Sequence, residues 1–138
     1  MMRAPPETVM AGLNKGVPQP TEIKLHQKSR VLEIAFADGA AFQLPCEFLR
    51  VYSPSAEVRG HGPGQEVLQV GKKDVEITRV EPVGSYAVQF TFSDGHDTGI
   101  YSWDLLYDYG KRQEEMWRHY LKRMEEAGAS REPPTPKA

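Results

Sequence analysis

The sequence has little of several features that mark common classes of protein. Its 138 residues include a single cysteine, Cys46, which excludes an internal disulfide framework and fits a reducing cytosol. No run of about 18 apolar residues occurs, so we expect no membrane-spanning helix. The formal net charge is −2, and the 17 basic residues are interspersed with 19 acidic ones. The sequence therefore predicts neither a nucleic-acid surface nor attraction to an anionic membrane.

The two ends of the chain also lack the composition of a folded segment. The start, MMRAPPETVMAGLNKGVPQP, has no apolar stretch of the kind found in a secretory signal peptide. Residues 1–19 are rich in proline, and residues 129–138 read ASREPPTPKA. Neither segment buries enough apolar surface to offset the entropy lost on ordering. We expect disordered tails at 1–19 and 129–138, around one folded domain over residues 20–128 of a soluble, cytoplasmic protein.

Alternation of apolar and polar residues is the first strong signal within that domain. VLEIAF (31–36) and YAVQFTF (86–92) alternate in the manner of strands with one buried face, and each leads into an Asp-Gly pair. Asp-Gly between alternating segments favours a type I′ hairpin turn. The sequence thus predicts a small antiparallel sheet of two Asp-Gly hairpins. Its expected core residues are Leu32, Ile34, Phe36, Val88, Phe90 and Phe92.

The two hairpins share a plan. Residues 32–52 and 88–109 each contain an alternating strand, Phe-x-Asp-Gly, a short second strand and a leucine-rich helical turn. We interpret this as a weak internal pseudo-repeat, with chance similarity of two hairpins as the alternative. The first copy has Ala40-Ala41 where the second has His96-Asp97, so the turn does not require His96. His96 is therefore a functional candidate, although a surface histidine after a hairpin is commonplace.

The C-terminal third has the pattern of a helical segment. Ser102 suits the N-cap of a first segment, WDLLYDY, which we expect to end at Gly110. A second segment, KRQEEMWRHYLKRMEEAG, carries a stripe of aromatic and methionine residues and ends at Gly128. Such a stripe is typical of core packing, and a partner-binding face is the alternative. The predicted fold class is α+β, with the antiparallel sheet packed against this C-terminal helical segment.

The longest irregular stretch is SPSAEVRGHGPGQ (53–65), with a helical turn predicted at 55–58 and His61 between two glycines. A non-haem iron site needs two histidines and one carboxylate. His61, His96 and Asp97 are the candidate metal ligands, with Cys46 as an alternative. Their spacing is not diagnostic, so a metal site and a plain flexible loop both stay open. Pairing Cys46 with His96 as a nucleophile is a weaker option, because buried cysteines are mostly inert.

Two longer runs carry a family resemblance. LEIAFADGAAFQLPCEFLRVYSPSAEVRGHGPGQ and EPVGSYAVQFTFSDGHDTGIYSWDLLYDYG closely resemble the gamma-butyrobetaine hydroxylase-like N-terminal domain family, over about residues 20–112. In the carnitine-pathway hydroxylases this domain precedes an oxygenase jelly roll, which has no counterpart in this sequence. A similar domain is appended to a plastid iron–sulfur carrier of the P-loop ATPase class. Free-standing members have no settled activity. The resemblance implies a domain without oxygenase activity of its own, linked to iron or iron–sulfur metabolism.

The same resemblance implies the position of a structural zinc ion. The hydroxylase domains hold zinc with three cysteines and one histidine, and that histidine corresponds to His96. The cysteine positions fall on Ser53, Ser55 and Val58. Serine is a poor zinc ligand and valine is none, so the closed four-ligand site is lost in this sequence.

We therefore expect His96 to lie partly exposed in a surface pocket, shared with His61, Asp97, Ser53 and Ser55. The favoured function is a non-catalytic accessory or protein-interaction module with a protein partner. The alternative is a metal-binding protein or oxidoreductase component that uses the two histidines of this pocket, with zinc and iron both open as cofactors. The sequence does not determine an oligomeric state.

Overall fold

The computed structural model describes residues 18–60 and 64–133. Six strands and three helices follow one another along this part of the chain, with the two short helices between the third and fourth strands. The strands are β1 (Pro20–His26), β2 (Val31–Phe36), β3 (Ala41–Pro45), β4 (Ile77–Val83), β5 (Ala87–Phe92) and β6 (Ile100–Ser102), and the helices are α1 (Cys46–Val51), α2 (Ala56–Arg59) and α3 (Trp103–Ala127).

The strands form two antiparallel sheets of three strands each, in the orders β1-β2-β3 and β4-β5-β6. The predicted α+β class with antiparallel strands and a C-terminal helix is confirmed, but the strands divide between two sheets where the sequence suggested one. Every residue expected in the core is at most 2% exposed. Both central strands, β2 and β5, direct alternate side chains into a common core, which also receives Leu106 of α3.

Each Asp-Gly pair lies in the connection that follows a central strand. Gly39 has φ 92° and Gly95 has φ 90°, whereas neither aspartate has positive φ. A type I′ turn needs positive φ at both central residues, so the expected turn type is wrong. The two aspartates stabilise these turns through their side chains. The carboxylates of Asp38 and Asp94 accept hydrogen bonds from the backbone N–H groups of Ala40 and His96, at 2.9 and 3.2 Å.

Helix α3 runs without interruption through Gly110, where the sequence predicted an end. Glycine serves here for close packing, because a Cβ at this position would lie 2.6 Å from Cδ1 of Phe42 in β3. The expected caps are present: the Ser102 hydroxyl accepts the Leu105 N–H, and Gly128 takes the left-handed conformation with φ 64°.

The expected tails are only partly described. Residues 1–17 and 134–138 lie outside the described residues. Residues 129–133, which we expected to be disordered, lie against the domain: backbone hydrogen bonds join Gly71 to Ser130 and Lys73 to Arg131. The composition gave no sign of these contacts, because they depend on a loop some sixty residues earlier in the chain. None of the helices in the two described ranges is both long and apolar enough to cross a membrane.

Candidate functional site

Two connecting segments bring the candidate residues together. One is the short link between α1 and α2, which carries Ser53 and Ser55, and the other is the β5–β6 connection, which carries His96. The turn that precedes His96 is closed by Phe92, whose N–H donates to the His96 carbonyl at 2.9 Å. The ring of His96 then meets the link across 43 residues of sequence, with Nε2 2.9 Å from Oγ of Ser53.

His96 is buried, with 7% of the residue exposed, so the expectation of a partly exposed histidine is wrong. The α1–α2 link covers one side of the imidazole, and Phe92 packs on it with ring centroids 6.1 Å apart. Nδ1 lies 3.2 Å from Oε1 of Glu57, whose side chain is 66% exposed. Both ring nitrogens are thus engaged by neighbours within the chain.

Burial lowers the pKa of His96 below its ordinary value, and the nearby positive charge of Arg50 lowers it further. Glu57 and Asp94 act in the opposite direction without reversing the shift. The ring is therefore neutral at physiological pH. In the neutral ring Nδ1–H donates to the Glu57 carboxylate, which can only accept, and the Ser53 hydroxyl donates to Nε2.

The two serine hydroxyls are occupied by local hydrogen bonds. Oγ of Ser53 accepts the Ser55 N–H at 3.2 Å as well as contacting His96. Oγ of Ser55 caps α2 by accepting the Glu57 N–H at 3.2 Å, and it lies 2.7 Å from Oγ1 of Thr98. The helical turn expected at 55–58 is therefore present, and its cap is one of the candidate site residues.

Gly99 allows the two segments to approach this closely. A Cβ at Gly99 would overlap Oγ of Ser53 and would also lie 3.2 Å from Pro54 and 3.3 Å from Tyr101. Gly99 was not among the residues predicted from the sequence, although a glycine directly before a short strand is the signal that would have identified it.

An ion-pair cluster beside His96 was also missed. Arg50, only 7% exposed, donates from Nε to Oδ2 of Asp94 at 2.9 Å and from Nη1 to Gln69 at 2.9 Å. Lys72 donates to the same carboxylate oxygen at 2.5 Å. Burial acts to raise the pKa of Asp94, but the hydrogen bonds from Lys72 and the His96 N–H, with the charge of Arg50, lower it from 3.8 to about 2. A buried arginine was not detectable from composition alone.

Of the four predicted pocket residues that the structure describes, three lie together. Ser53, Ser55 and His96 meet as described. Asp97 is exposed, and its backbone carbonyl accepts a hydrogen bond from Gln89. His61 lies outside the described residues. Within residues 18–60 and 64–133, no group of three or more histidine, cysteine, aspartate or glutamate side chains is placed to hold a metal ion.

The residues at the zinc position of the resemblance do not fit a zinc ion. Ser53 and Ser55 offer hydroxyls that are already hydrogen-bonded, and Val58, 6% exposed, offers no ligand atom. A structural zinc site takes four nitrogen or sulfur ligands in most proteins, whereas this one retains a single imidazole. A network of hydrogen bonds among Ser53, Ser55, Thr98 and His96 stands in its place.

The order Ser53–His96–Glu57 is that of a hydrolytic triad, in which a serine is activated by histidine and a carboxylate. Nucleophilic attack requires a substrate carbonyl to reach the serine oxygen, yet Ser53 is only 1% exposed. Cys46 is equally enclosed, and burial raises the pKa of its thiol, which keeps it protonated and unreactive. The described arrangement therefore supports the fold of the two segments, and neither Ser53 nor Cys46 is accessible as a nucleophile.

An open groove of about 630 Å³ lies beside the buried network, between α3 and the segment that includes α2. Its lining is apolar at Val58, Leu105 and Met116. Three arginines contribute to it as well, Arg59, Arg112 and Arg123, together with two acidic residues, Glu66 and Asp108.

Comparisons with known proteins identify relatives of this chain. The family model described as gamma-butyrobetaine hydroxylase-like, N-terminal matches residues 23–107. The comparison with curated proteins found no match. One protein solved in solution by NMR is similar with 55% identity and a TM-score of 0.73, covering 88% of this chain and 90% of that chain. A second NMR structure has 45% identity and a TM-score of 0.75, covering 88% of this chain and 95% of that one.

A crystal structure of a protein with unknown function, from Acidithiobacillus ferrooxidans and assigned to the DUF971 family, is also similar. It has 44% identity and a TM-score of 0.54, and the match covers 64% of this chain and 88% of that chain. The family model spans more than half of the present sequence and includes both segments that meet at His96. The chain belongs to the gamma-butyrobetaine hydroxylase-like N-terminal family.

Proposed function

We propose that this chain is a non-catalytic protein-interaction module whose groove between α3 and the α2 segment binds an acidic segment of a partner protein. One contrast carries the proposal. The residues with potential chemistry, Ser53 and His96, are closed off from solvent, whereas the groove beside them is open, apolar at its base and bordered by arginines.

The arginines differ in how far their charge is already neutralised. Arg112 pairs with Asp108 at 3.1 Å and with Glu115 at 3.6 Å. Arg123 donates to the backbone carbonyl of Glu66 at 3.4 Å. Among the described residues, neither Arg59 nor Arg123 forms a salt bridge with a carboxylate. Arg59 interacts with the Tyr109 hydroxyl, but neither positive charge is neutralised by a carboxylate of the described residues, so both guanidinium groups can pair with a carboxylate that enters the groove.

Arginine suits this purpose because its planar guanidinium binds a carboxylate through two parallel hydrogen bonds. An apolar side chain of the same segment would fill the base of the groove, where Val58 and Met116 are buried. Interfaces of this kind gain most of their affinity from a few such anchors. An acidic segment that also carries an apolar side chain is thus the partner chemistry that fits.

A purified-component binding experiment tests the proposal. The double variant Arg59→Glu/Arg123→Glu reverses the two unpaired charges of the groove. A matched control, Arg79→Glu/Arg118→Glu, reverses two arginines with side chains 68% and 69% exposed that do not line the groove. The first partners to test are iron–sulfur carrier proteins, because the resemblance links the family to them.

A partner that binds the wild type and the control with equal affinity, and the groove variant at least tenfold more weakly, would support the proposal. Equal binding to all three proteins would contradict it. The alternative hypothesis, a metal-binding protein or oxidoreductase component, is tested by the metal content of the purified protein. Stoichiometric iron or zinc would support that alternative.

A further inference from the structure

The segment after α3 places one side chain in a site built for a guanidinium group. Carbonyls of Ser130 and Arg131 accept backbone hydrogen bonds from Gly71 at 3.0 Å and Lys73 at 2.9 Å. These bonds hold residues 130–131 beside the 71–73 loop. Arg131 is thereby directed toward α1 and α3.

Two contacts hold the Arg131 guanidinium. Nε and Nη2 donate to the two carboxylate oxygens of Glu47 in α1, at 2.8 and 2.7 Å. The guanidinium carbon lies 5.2 Å from the ring centroid of Trp117 in α3. A two-pronged carboxylate combined with an aromatic face is selective for arginine, because lysine offers a single charged atom and no planar fork.

The carboxylate is deeply buried while the arginine is not. The Glu47 side chain is 8% exposed, whereas 37% of the Arg131 side chain is exposed. A buried carboxylate needs a cationic partner, since leaving it unpaired is strongly unfavourable. The partner here is supplied by a short segment at the chain's end, three residues beyond the Gly128 cap.

Space for a larger ligand adjoins this pair. A cavity of about 670 Å³ continues along α3 from Arg131, lined among others by Pro45, Phe48, Gly110 and Gln113. A segment bearing an arginine at Glu47 would have room to extend there. Among the described residues of the tail, Arg131 is the one that lines this cavity.

We propose that Glu47 and Trp117 form a recognition site for an arginine carried on an extended segment of a partner protein, and that Arg131 occupies this site as an internal competitor. Exchange of one arginine for another keeps Glu47 paired throughout. A ligand without a guanidinium would leave the carboxylate with a poorer partner. The site therefore admits arginine segments and resists others, independently of the acidic segment proposed for the groove.

The tether sets the strength of the competition. A short intramolecular linker gives an effective concentration of roughly millimolar order. The intact chain therefore suppresses any arginine segment that binds Glu47 more weakly than its own tail does. Removing the Arg131 side chain should expose the site's intrinsic affinity.

The test uses the full chain and a synthetic peptide of its own residues 129–136, ASREPPTP, as the probe. Binding is measured by calorimetry and by the shift of the Trp117 indole N–H signal in NMR spectra. The Arg131→Ala protein should bind the peptide at least tenfold more tightly than the wild type. A peptide with lysine in place of arginine should bind at least tenfold more weakly than the parent peptide. Adding Glu47→Gln to Arg131→Ala should abolish binding.

Arg131→Lys serves as a second variant in case Arg131→Ala does not fold, because lysine keeps a cation beside Glu47. It should fold and bind the arginine peptide more tightly than the wild type does. If a folded Arg131 variant fails to bind the peptide, or binds the arginine and lysine peptides equally, Arg131 is a structural clamp and the proposal is overturned.

Discussion

Oγ of Ser53 and Nε2 of His96 lie 2.9 Å apart, joining two connections that are 43 residues apart in the sequence. Both residues are almost completely buried. The pair therefore acts as a cross-link by hydrogen bonding between the α1–α2 link and the β5–β6 connection, at the place where the family resemblance puts a metal.

Removing the imidazole should destabilise the fold. His96→Ala leaves the Ser53 hydroxyl without its acceptor in a buried environment, which typically costs about 1–3 kcal/mol. Urea denaturation measures the change in the free energy of unfolding. The control is His26→Ala, whose side chain is 45% exposed and which we expect to change stability by less than about 0.5 kcal/mol. Equal effects of the two substitutions would contradict a structural role for His96.

Stability should decline as the pH falls below about 6.5, the ordinary pKa of histidine. Burial lowers the pKa of His96 in the folded state, so the unfolded chain takes up its proton first and gains stability relative to the native state. Denaturation between pH 7.5 and pH 5 measures this slope. His96→Gln should flatten it, and an unaltered slope in that variant would show that other groups account for it.

A second acid-dependent step should come from Asp94. Its pKa falls from 3.8 to about 2 on folding, so its stabilising contribution is complete above about pH 4 and is lost as the pH falls through about 2. At about 1.36 kcal/mol per pKa unit, the contribution is about 2 kcal/mol. Asp94→Asn should remove this step and leave the one near pH 6.5 in place. If Asp94→Asn still loses stability over the same low pH range, another titrating group is responsible for that loss.

Gly110→Ala should be destabilising, although the same change in an exposed helix interior stabilises by about 1 kcal/mol. The added Cβ overlaps the Phe42 ring, and overpacking of this kind costs about 1–3 kcal/mol. Replacing the ring by the smaller leucine side chain, in Gly110→Ala/Phe42→Leu, should relieve this overlap. We expect the double variant to lose less stability than the sum of the losses in the two single variants. Strict additivity in this double-mutant cycle would mean that the two residues do not interact.

Restoring thiolates should create a zinc site. In Ser53→Cys/Ser55→Cys/Val58→Cys, three thiolates and His96 would supply the four ligands that a structural zinc prefers. We expect one equivalent of cobalt to bind with the absorption of tetrahedral thiolate coordination, and much weaker binding when His96→Ala is added. If the triple variant binds no metal, the correspondence between these positions and the family's cysteines is wrong.

The core and the ends of the helix were determined by local sequence. Alternation at Leu32, Ile34 and Phe36 specifies a strand with one buried face, because successive side chains point to opposite sides of a sheet. Ser102 and Gly128 cap helix α3 through contacts with residues only a few positions away, so their roles can be predicted from the sequence alone. The family resemblance also identified His96 and the 53–58 segment as neighbours.

Only the tertiary structure decided the features that depend on distant parts of the chain. Glycine at 110 marks either a helix end or a close contact, and the ring of Phe42, 68 residues earlier, makes it a contact. Whether His96 is exposed depends on the segment that folds over it from 43 residues away. Arg131 belongs to a proline-rich tail by composition, yet a carboxylate 84 residues earlier fixes it to the domain. Propensity and periodicity act over a few residues, so contacts of this range become visible only once the chain has folded.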